Sequence, residues 1–278
     1  MVGKIIKQIS NDYTVKVDNK LYVCKARGKF RNIKVTPLVG DNVVIDENNN
    51  YILEIQKRKN ELDRPSIANV DQIVIVTSVK IPDFSSNLLD KLLTIIEFNN
   101  IKPVICFTKL DLISGEKLEE IESIINYYKK IGYEVYLNTD KELKNIFKDK
   151  ITVFTGQSGA GKSSLLNRLD NRLNLKVGDV SISLGRGRHT TRHTELIEVL
   201  GGLIADTPGF SSINLSGMKK SDIRDNFIEF DKYRDFCEYK DCMHRNEENC
   251  EIKKMVNNSQ ILKSRYDNYL KFIKEGDT

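Results

Sequence analysis

The order of two short motifs limits what this 278-residue chain can fold into: Thr108-Lys109-Leu110-Asp111 comes first, and Gly156-Gln157-Ser158-Gly159-Ala160-Gly161-Lys162-Ser163 follows. The later motif has the make-up of a phosphate-binding loop. Glycines at 156, 159 and 161 let the backbone wrap an anion closely. N–H groups of the loop (Gln157, Ser158, Ala160) and of the helix expected to follow (Ser163, Ser164) then point at that anion. Lys162 is spaced to reach β- and γ-phosphates, and Ser163 to hold Mg²⁺. The apolar run 151–154 supplies the strand such a loop needs before it.

The earlier motif closes another apolar run, 103–107. A carboxylate at Asp111 accepts from both guanine N1–H and the 2-amino group, a donor pair adenine lacks, and the stem of Lys109 covers the base face. The pattern selects GTP or GDP over ATP. Asn is usual at the first position of such a segment, and Thr108 stands there instead. Asn138-Thr139, after the next predicted strand, is the candidate to complete the base pocket. In an ordinary GTPase the phosphate loop comes first, so this chain looks like a circularly permuted one.

Hydropathy patterning fits that reading. Alternating, β-branched segments at 4–9, 14–17, 21–26, 40–45 and 51–55 predict five short strands, a spacing that points to a small β-barrel with an OB-fold foremost. Phe30 lies in a basic stretch, Arg27-Gly28-Lys29-Phe30-Arg31-Asn32-Ile33-Lys34, and reads either as core or as an RNA contact. Residues 58–69 read as a linker. Buried strands then alternate with amphipathic helices: 73–76, helix 88–98, 103–107, helix 116–131, 133–137 and 151–154. That alternation implies an α/β, doubly wound, mostly parallel sheet. Gly201-Gly202 signals a hairpin, and a helix is expected near 260–273. The expected domains are 1–63 (OB-fold barrel, RNA binding), 64–216 (permuted GTPase domain) and 217–278 (zinc-binding, helical).

Asp206-Thr207-Pro208-Gly209 follows an apolar run 43 residues after Ser163, where an acidic residue can hold Mg²⁺ through water and the Gly209 N–H can meet a γ-phosphate. The next position, where many such enzymes carry a water-orienting Gln, is Phe210. Intrinsic turnover is therefore expected to be slow. Farther on, Cys237, Cys242, His244 and Cys250 are spaced C-x4-C-x-H-x5-C in a polar stretch with little apparent core. Thiolate and imidazole ligands suit a closed, tetrahedral, structural Zn²⁺ site from which such a segment gains its fold. Cys24 and Cys106 sit in apolar runs and read as core.

The motif order, the N-terminal barrel, the Gly185-Arg186-Gly187-Arg188-His189-Thr190-Thr191 segment and the C-terminal Cys/His cluster together resemble the ribosome small-subunit-dependent GTPase A family. The resemblance covers essentially the whole chain. It implies an OB-fold, a permuted GTPase domain and a zinc domain, with GTP hydrolysis stimulated by the small ribosomal subunit during its late maturation. It also makes His189 a candidate for the missing water-orienting role. Thr190 or Thr191, with Thr191 favoured, would close over Mg²⁺, and rRNA contact would order this basic loop.

The formal net charge is +5, and residues 1–63 alone hold 12 Lys+Arg against 8 Asp+Glu. Clustering of this kind fits a phosphate-backbone partner without naming one. No apolar run reaches the ~18 residues a membrane helix needs, and no signal-peptide core opens the chain, so a cytoplasmic monomer without membrane contact is expected. Two other readings stay open on the residues alone: a P-loop ATPase or small-molecule kinase, and an rRNA-binding protein whose nucleotide site gates affinity with little hydrolysis.

Overall fold

The computed structural model describes residues 1–28, 30, 35–63, 65–173, 175, 195–206 and 215–276. The N-terminal strands are β1 Val2–Ile9, β2 Asp12–Val17, β3 Lys20–Ala26, β4 Asn42–Asp46 and β5 Tyr51–Ile55. β1 pairs with β2, β2 with β3, β3 in parallel with β5, β5 with β4, and β4 returns to β1. The ring closes as an OB-like five-stranded barrel, with β4 covering β1 at Val2, Gly3 and Lys4 and leaving the later part of β1 open to a further strand. Period-2 alternation sends Ile5, Tyr13, Val15, Cys24, Val43, Ile45 and Ile52 inward, all buried. Phe30 is buried with them, so its core reading holds. The remainder of its basic neighbourhood, Lys29 and residues 31–34, lies outside the described residues.

The linker has structure that patterning did not announce. Strands β6 Glu61–Asp63 and β7 Ser66–Ala68 form a short antiparallel hairpin with Leu62 opposite the buried Ile67. Asn60 and Asn69 close its base, through Asn60 Nδ2 to the Val70 carbonyl (2.9 Å) and the Lys59 N–H to Asn69 Oδ1 (3.0 Å). Three-residue strands are too short to leave a periodic signal, and side-chain amides supply what the ladder lacks.

The central sheet follows: β8 Gln72–Ser78, helix α1 Ser86–Phe98, β9 Lys102–Thr108, helix α2 Glu116–Ile131, β10 Glu134–Leu137, β11 Ile151–Thr155, helix α3 Lys162–Leu169, β12 Glu195–Val199 and β13 Gly202–Asp206. Its order is β10-β9-β8-β11-β13-β12. The first five of these run parallel, and β12 joins antiparallel to β13. On one face Ile73, Ile75, Ile105 and Phe107 pack with Leu89, Leu92, Ile121 and Ile125 of α1 and α2. On the other, Val74, Val76, Val104, Cys106 and Phe154 pack with Leu165, Leu166 and Leu169 of α3. Helices on both faces make the sheet doubly wound, and burial on both faces explains the unbroken apolar strands. Leu200 (φ 52°) and Gly201 (φ 74°) turn the β12–β13 hairpin, and a Cβ on Gly202 would lie 1.9 Å from the Phe147 carbonyl oxygen. β12 also pairs with β1 at Lys7 and Glu195, so barrel and central sheet form one eleven-stranded sheet.

Helices α4 Lys220–Asp225, α5 Glu251–Asn257 and α6 Lys263–Glu275 complete the chain. Around the Cys/His stretch, Leu215, Met218, Ile223, Phe227, Phe230, Ile252, Ile261, Tyr269, Phe272 and Ile273 form a buried cluster that closes on Ile95 of α1, while between 237 and 250 only Cys242 and Cys250 are buried in it. Several of these residues sit in turns rather than on one helix stripe, which hid them from periodicity. Beside the cluster, Arg265 is buried and bridges Glu229 (Nε to Oε1 2.5 Å, Nη2 to Oε2 2.9 Å) and Asp90 of α1 (Nη1 to Oδ1 2.6 Å). Tyr128 and Asn268 donate to the same Asp90 carboxylate at 2.6 and 2.7 Å. No helix among the described residues is long and apolar enough to cross a membrane.

Candidate nucleotide site and metal centre

Parallel strands deliver their C-terminal ends to one edge of a sheet, and that edge is where open α/β folds place ligands. Thr108 at the end of β9, the loop after Thr155 of β11, and the Asp206 backbone at the end of β13 all lie there. Gly156, Gly159 and Gly161 have φ of 129°, 77° and 98°, conformations that favour glycine. A Cβ on Gly156 would stand 2.0 Å from the Val76 carbonyl oxygen of β8. The loop is therefore pressed onto the neighbouring strand, and α3 opens at Lys162. Lys162 Nζ donates to the loop's own Gly156 and Gln157 carbonyls at 2.8 and 2.7 Å. Burial holds its ammonium below the ordinary lysine pKa. A desolvated cation facing only neutral oxygens gains most from an arriving phosphate. Ser158 and Ser164 are exposed, and Ser163 is half-buried.

The Thr108-Lys109-Leu110-Asp111 segment is joined to this loop directly. Thr108 is buried and its hydroxyl donates to the Ala160 carbonyl at 2.7 Å. Lys109, at φ 64°, extends its ammonium to the Gly159 carbonyl (2.8 Å) and to the Ile81 carbonyl. Asp111 stands exposed in the turn Leu110–Leu112, with no hydrogen bond to its carboxylate among the described residues. The Asn138 N–H donates to the Phe107 carbonyl at 2.9 Å, which sets Asn138 beside the residue preceding Thr108. Sequence reading missed the segment after β8. There Lys80 Nζ donates to the Leu112 carbonyl at 3.3 Å, Phe84 packs against Phe107 at 5.7 Å, and Pro82 lies 3.7 Å from where a Gly159 Cβ would be. Only Ser85, which caps α1 by accepting from the Leu88 N–H (3.2 Å), left a sequence signal. Thr190, Thr191, His189, Gly209 and Phe210 lie outside the described residues. A cleft of about 1000 Å³ between barrel and sheet, lined by Lys4, Asp71, Lys150 and Gly201 among others, opens near the N-terminal ends of β8 and β11 and includes no phosphate-loop residue.

The four residues of the Cys/His pattern converge: ligand atoms of Cys237, Cys242, His244 and Cys250 all lie within 4.8 Å of one another. His244 presents Nδ1 to the sulfurs of Cys250 (3.4 Å) and Cys237 (3.6 Å), while its Nε2 is buried without a partner. Burial pushes the imidazole down to about 4, so it is neutral near pH 7 with a free lone pair, while burial of the Cys242 thiol pushes it up to about 12. A neutral His and three thiols gathered this closely are the donor set of a tetrahedral zinc ligand shell, and the cluster is compatible with a zinc site. Tyr266 and Tyr269 hydroxyls donate to the His244 and Met243 carbonyls at 2.6 and 2.5 Å, so α6 supports the turn that carries the cluster from behind.

Comparison with known proteins agrees with this geometry. The RsgA GTPase family model matches residues 55–216, and the RsgA N-terminal domain model matches residues 2–52. The chain is 47% identical to "Small ribosomal subunit biogenesis GTPase RsgA 2" of Oceanobacillus iheyensis, over 99% of this chain and 97% of that protein. It is 46% identical to the RsgA of Enterococcus faecalis, over 98% and 94%. Among solved structures it resembles YloQ, a circularly permuted GTPase, with a TM-score of 0.83 and 39% identity over 99% of this chain and 94% of that one. It also resembles YjeQ from Thermotoga maritima, with a TM-score of 0.85 and 32% identity over 99% and 97%.

Proposed function

The chain belongs to the RsgA GTPase family, and from that membership we propose that it hydrolyses GTP as a late maturation factor of the small ribosomal subunit, stimulated by that subunit through rRNA contacts. GTPase activity and the permuted fold come with the family. The observation that carries the site reading is the direct hydrogen bonding of Thr108 and Lys109 to the Ala160 and Gly159 carbonyls, which supports reading the two motifs as one nucleotide site.

In this reading Asp111 accepts from guanine N1–H and N2, and Lys109 covers the base. Gly156, Gln157, Ser158, Gly159, Ala160 and Gly161 wrap the phosphates, with Ser164 in the following turn. Lys162 leaves its two carbonyl partners and moves to the phosphates. Ser163, Thr191 and, through water, Asp206 would hold Mg²⁺, which would supply neutralisation of phosphate charge. His189 orients the attacking water, for which the Phe210 side chain has no polar atom. Cys237, Cys242, His244 and Cys250 would hold Zn²⁺, which would make the C-terminal turn rigid and would take no part in hydrolysis. The barrel, residues 1–63, and the zinc unit, residues 217–278, flank the nucleotide unit as RNA-facing modules on a cytoplasmic monomer.

The test is GTP turnover by the pure protein with small subunits, large subunits or neither, beside a Lys162→Ala control. Small subunits alone should accelerate turnover, and the control should abolish it. Equal rates under all three conditions refute the ribosomal part of the reading.

A further inference from the structure

We propose that Thr108 is a positioning residue whose hydroxyl clasps the phosphate loop to the base-reading strand, setting the loop's shape for nucleotide rather than touching the base. The inference rests on the guanine-nucleotide reading above and assigns Thr108 a task that a base contact does not describe.

β9 and β11 are not neighbours, because β8 lies between them. The loop leaving β11 must cross the end of β8 to meet β9, and it is held at both ends of that crossing. Gly156 packs on the Val76 carbonyl of β8, and Ala160 reaches the Thr108 hydroxyl of β9. Thr108 Oγ1 has one proton and two oxygens in range, Ala160 at 2.7 Å and Thr77 at 3.4 Å, and distance commits it to Ala160. The side chain is buried, so water cannot replace that bond. In a trans peptide the carbonyl and the following N–H point in opposite directions. Fixing the Ala160 carbonyl on β9 therefore turns the Gly161 N–H away from β9 and holds that donor in one direction. Lys109 does the same for the Gly159 carbonyl from the solvent side, where it stays accessible to water. Gly161 answers the backbone rather than the space here: its φ is 98°, while a Cβ would make only ordinary contacts of 3.8–4.0 Å with the Thr108 side chain.

Thr108→Val keeps shape and loses the donor, leaving the Ala160 carbonyl buried without a partner. The expected result is about tenfold weaker binding of both GDP and GTP, the size of one buried hydrogen bond left unmade. Because the loss is in loop shape, the preference for GDP over inosine diphosphate, which lacks the 2-amino group Asp111 reads, stays as in the parent. KM for GTP rises with kcat nearly unchanged, and Thr108→Ser restores binding to within twofold. Calorimetric titrations with GDP and inosine diphosphate on parent, Val and Ser variants, with thermal melts to show folding, decide it. Should the Val variant not fold, Thr108→Ala against Thr108→Ser makes the same comparison. A Val variant that binds GDP within twofold of the parent overturns the clasp, as does one whose GDP preference collapses, which would make Thr108 a base contact. A parent that binds no guanine nucleotide instead removes the nucleotide reading itself.

Discussion

Replacing Arg265 with Met should destabilise the protein by about 3–5 kcal/mol near pH 8, the usual cost of removing one partner from a buried ion pair. The structure explains the size. Arg265 is 1% exposed, and its three N–H···O bonds of 2.5, 2.9 and 2.6 Å satisfy Glu229 and Asp90, which are themselves buried. Met fills similar volume, so lost packing is small, although the contact of the guanidinium with the Phe227 ring, 4.7 Å from its centroid, also goes. The main cost is carboxylate charge left in a dry site.

That cost has a pH signature. Burial already holds the Asp90 carboxyl above its ordinary value, with Arg265 the largest opposing influence. Without Arg265 the folded-state value rises further, while the unfolded value stays near ~3.9. The folded variant then keeps a proton that the unfolded chain releases, so its stability falls as pH climbs from about 4 through the raised value. Urea unfolding at pH 5 and pH 8 should show the deficit larger at pH 8. The triple change Arg265→Met, Asp90→Asn, Glu229→Gln should recover most of it, since no buried charge remains. A deficit below about 1 kcal/mol at pH 8, or one larger at pH 5, would refute the reasoning.

Three further outcomes are expected. Gly156→Ala places a Cβ 2.0 Å from the Val76 carbonyl at φ 129°, so nucleotide binding should be lost together with about 3 kcal/mol of stability, read by GDP titration and thermal melting. Asp111→Asn exchanges a double acceptor for an amide that can donate to the 2-oxo group of xanthine; GDP affinity should fall about a hundredfold and xanthosine diphosphate affinity should rise, measured by competition. Chelating the metal should expose backbone amides between Cys237 and Cys250 to hydrogen exchange while α6 stays protected, because Phe272 against Phe227 and Arg265 against Glu229 and Asp90 hold that helix through contacts that involve no metal ligand. Loss of α6 protection at the same rate as the turn would sink that expectation.

What was legible in the chain follows from which interactions are local. The phosphate loop could be read because its three glycines answer backbone conformations, φ 129°, 77° and 98°, that other residues rarely adopt. The barrel strands could be read because each has one wet and one dry face, a period-2 signal bounded by Gly, Asn and Asp. The four metal-site residues were legible because three thiols and an imidazole at close spacing have few other uses. Arg265, Asp90 and Glu229 were not, since each looks like an ordinary charged surface residue until positions 36 and 175 residues apart meet. Pairing of β1 with β12 was equally hidden, being a ladder between residues 7 and 195 that no local pattern encodes. The Thr108 departure from the usual Asn was visible, but its meaning needed the position of the Ala160 carbonyl.

Permutation leaves the nucleotide site intact because a parallel sheet gathers its strand ends at one edge whatever order the chain visits them in. It changes what is attached to the outside. The barrel joins the central sheet at β12, through the Lys7 and Glu195 pairing and their 2.8 Å ion pair, and a second ion pair joins Lys16 to Glu198 on the same strand. In sequence, β12 begins just after the segment holding His189 and Thr191, and β13 ends at Asp206, just before Gly209. The C-terminal unit grips the opposite side, where α6 meets α1 through Asn268 to the Ser86 hydroxyl (3.4 Å) and Arg265 to Asp90. α1 is preceded by the segment that carries the Ile81 carbonyl, a partner of Lys109. Each flanking unit is therefore bonded to an element that lies only a few residues in sequence from candidate nucleotide residues, so a load on either has a short covalent path to them.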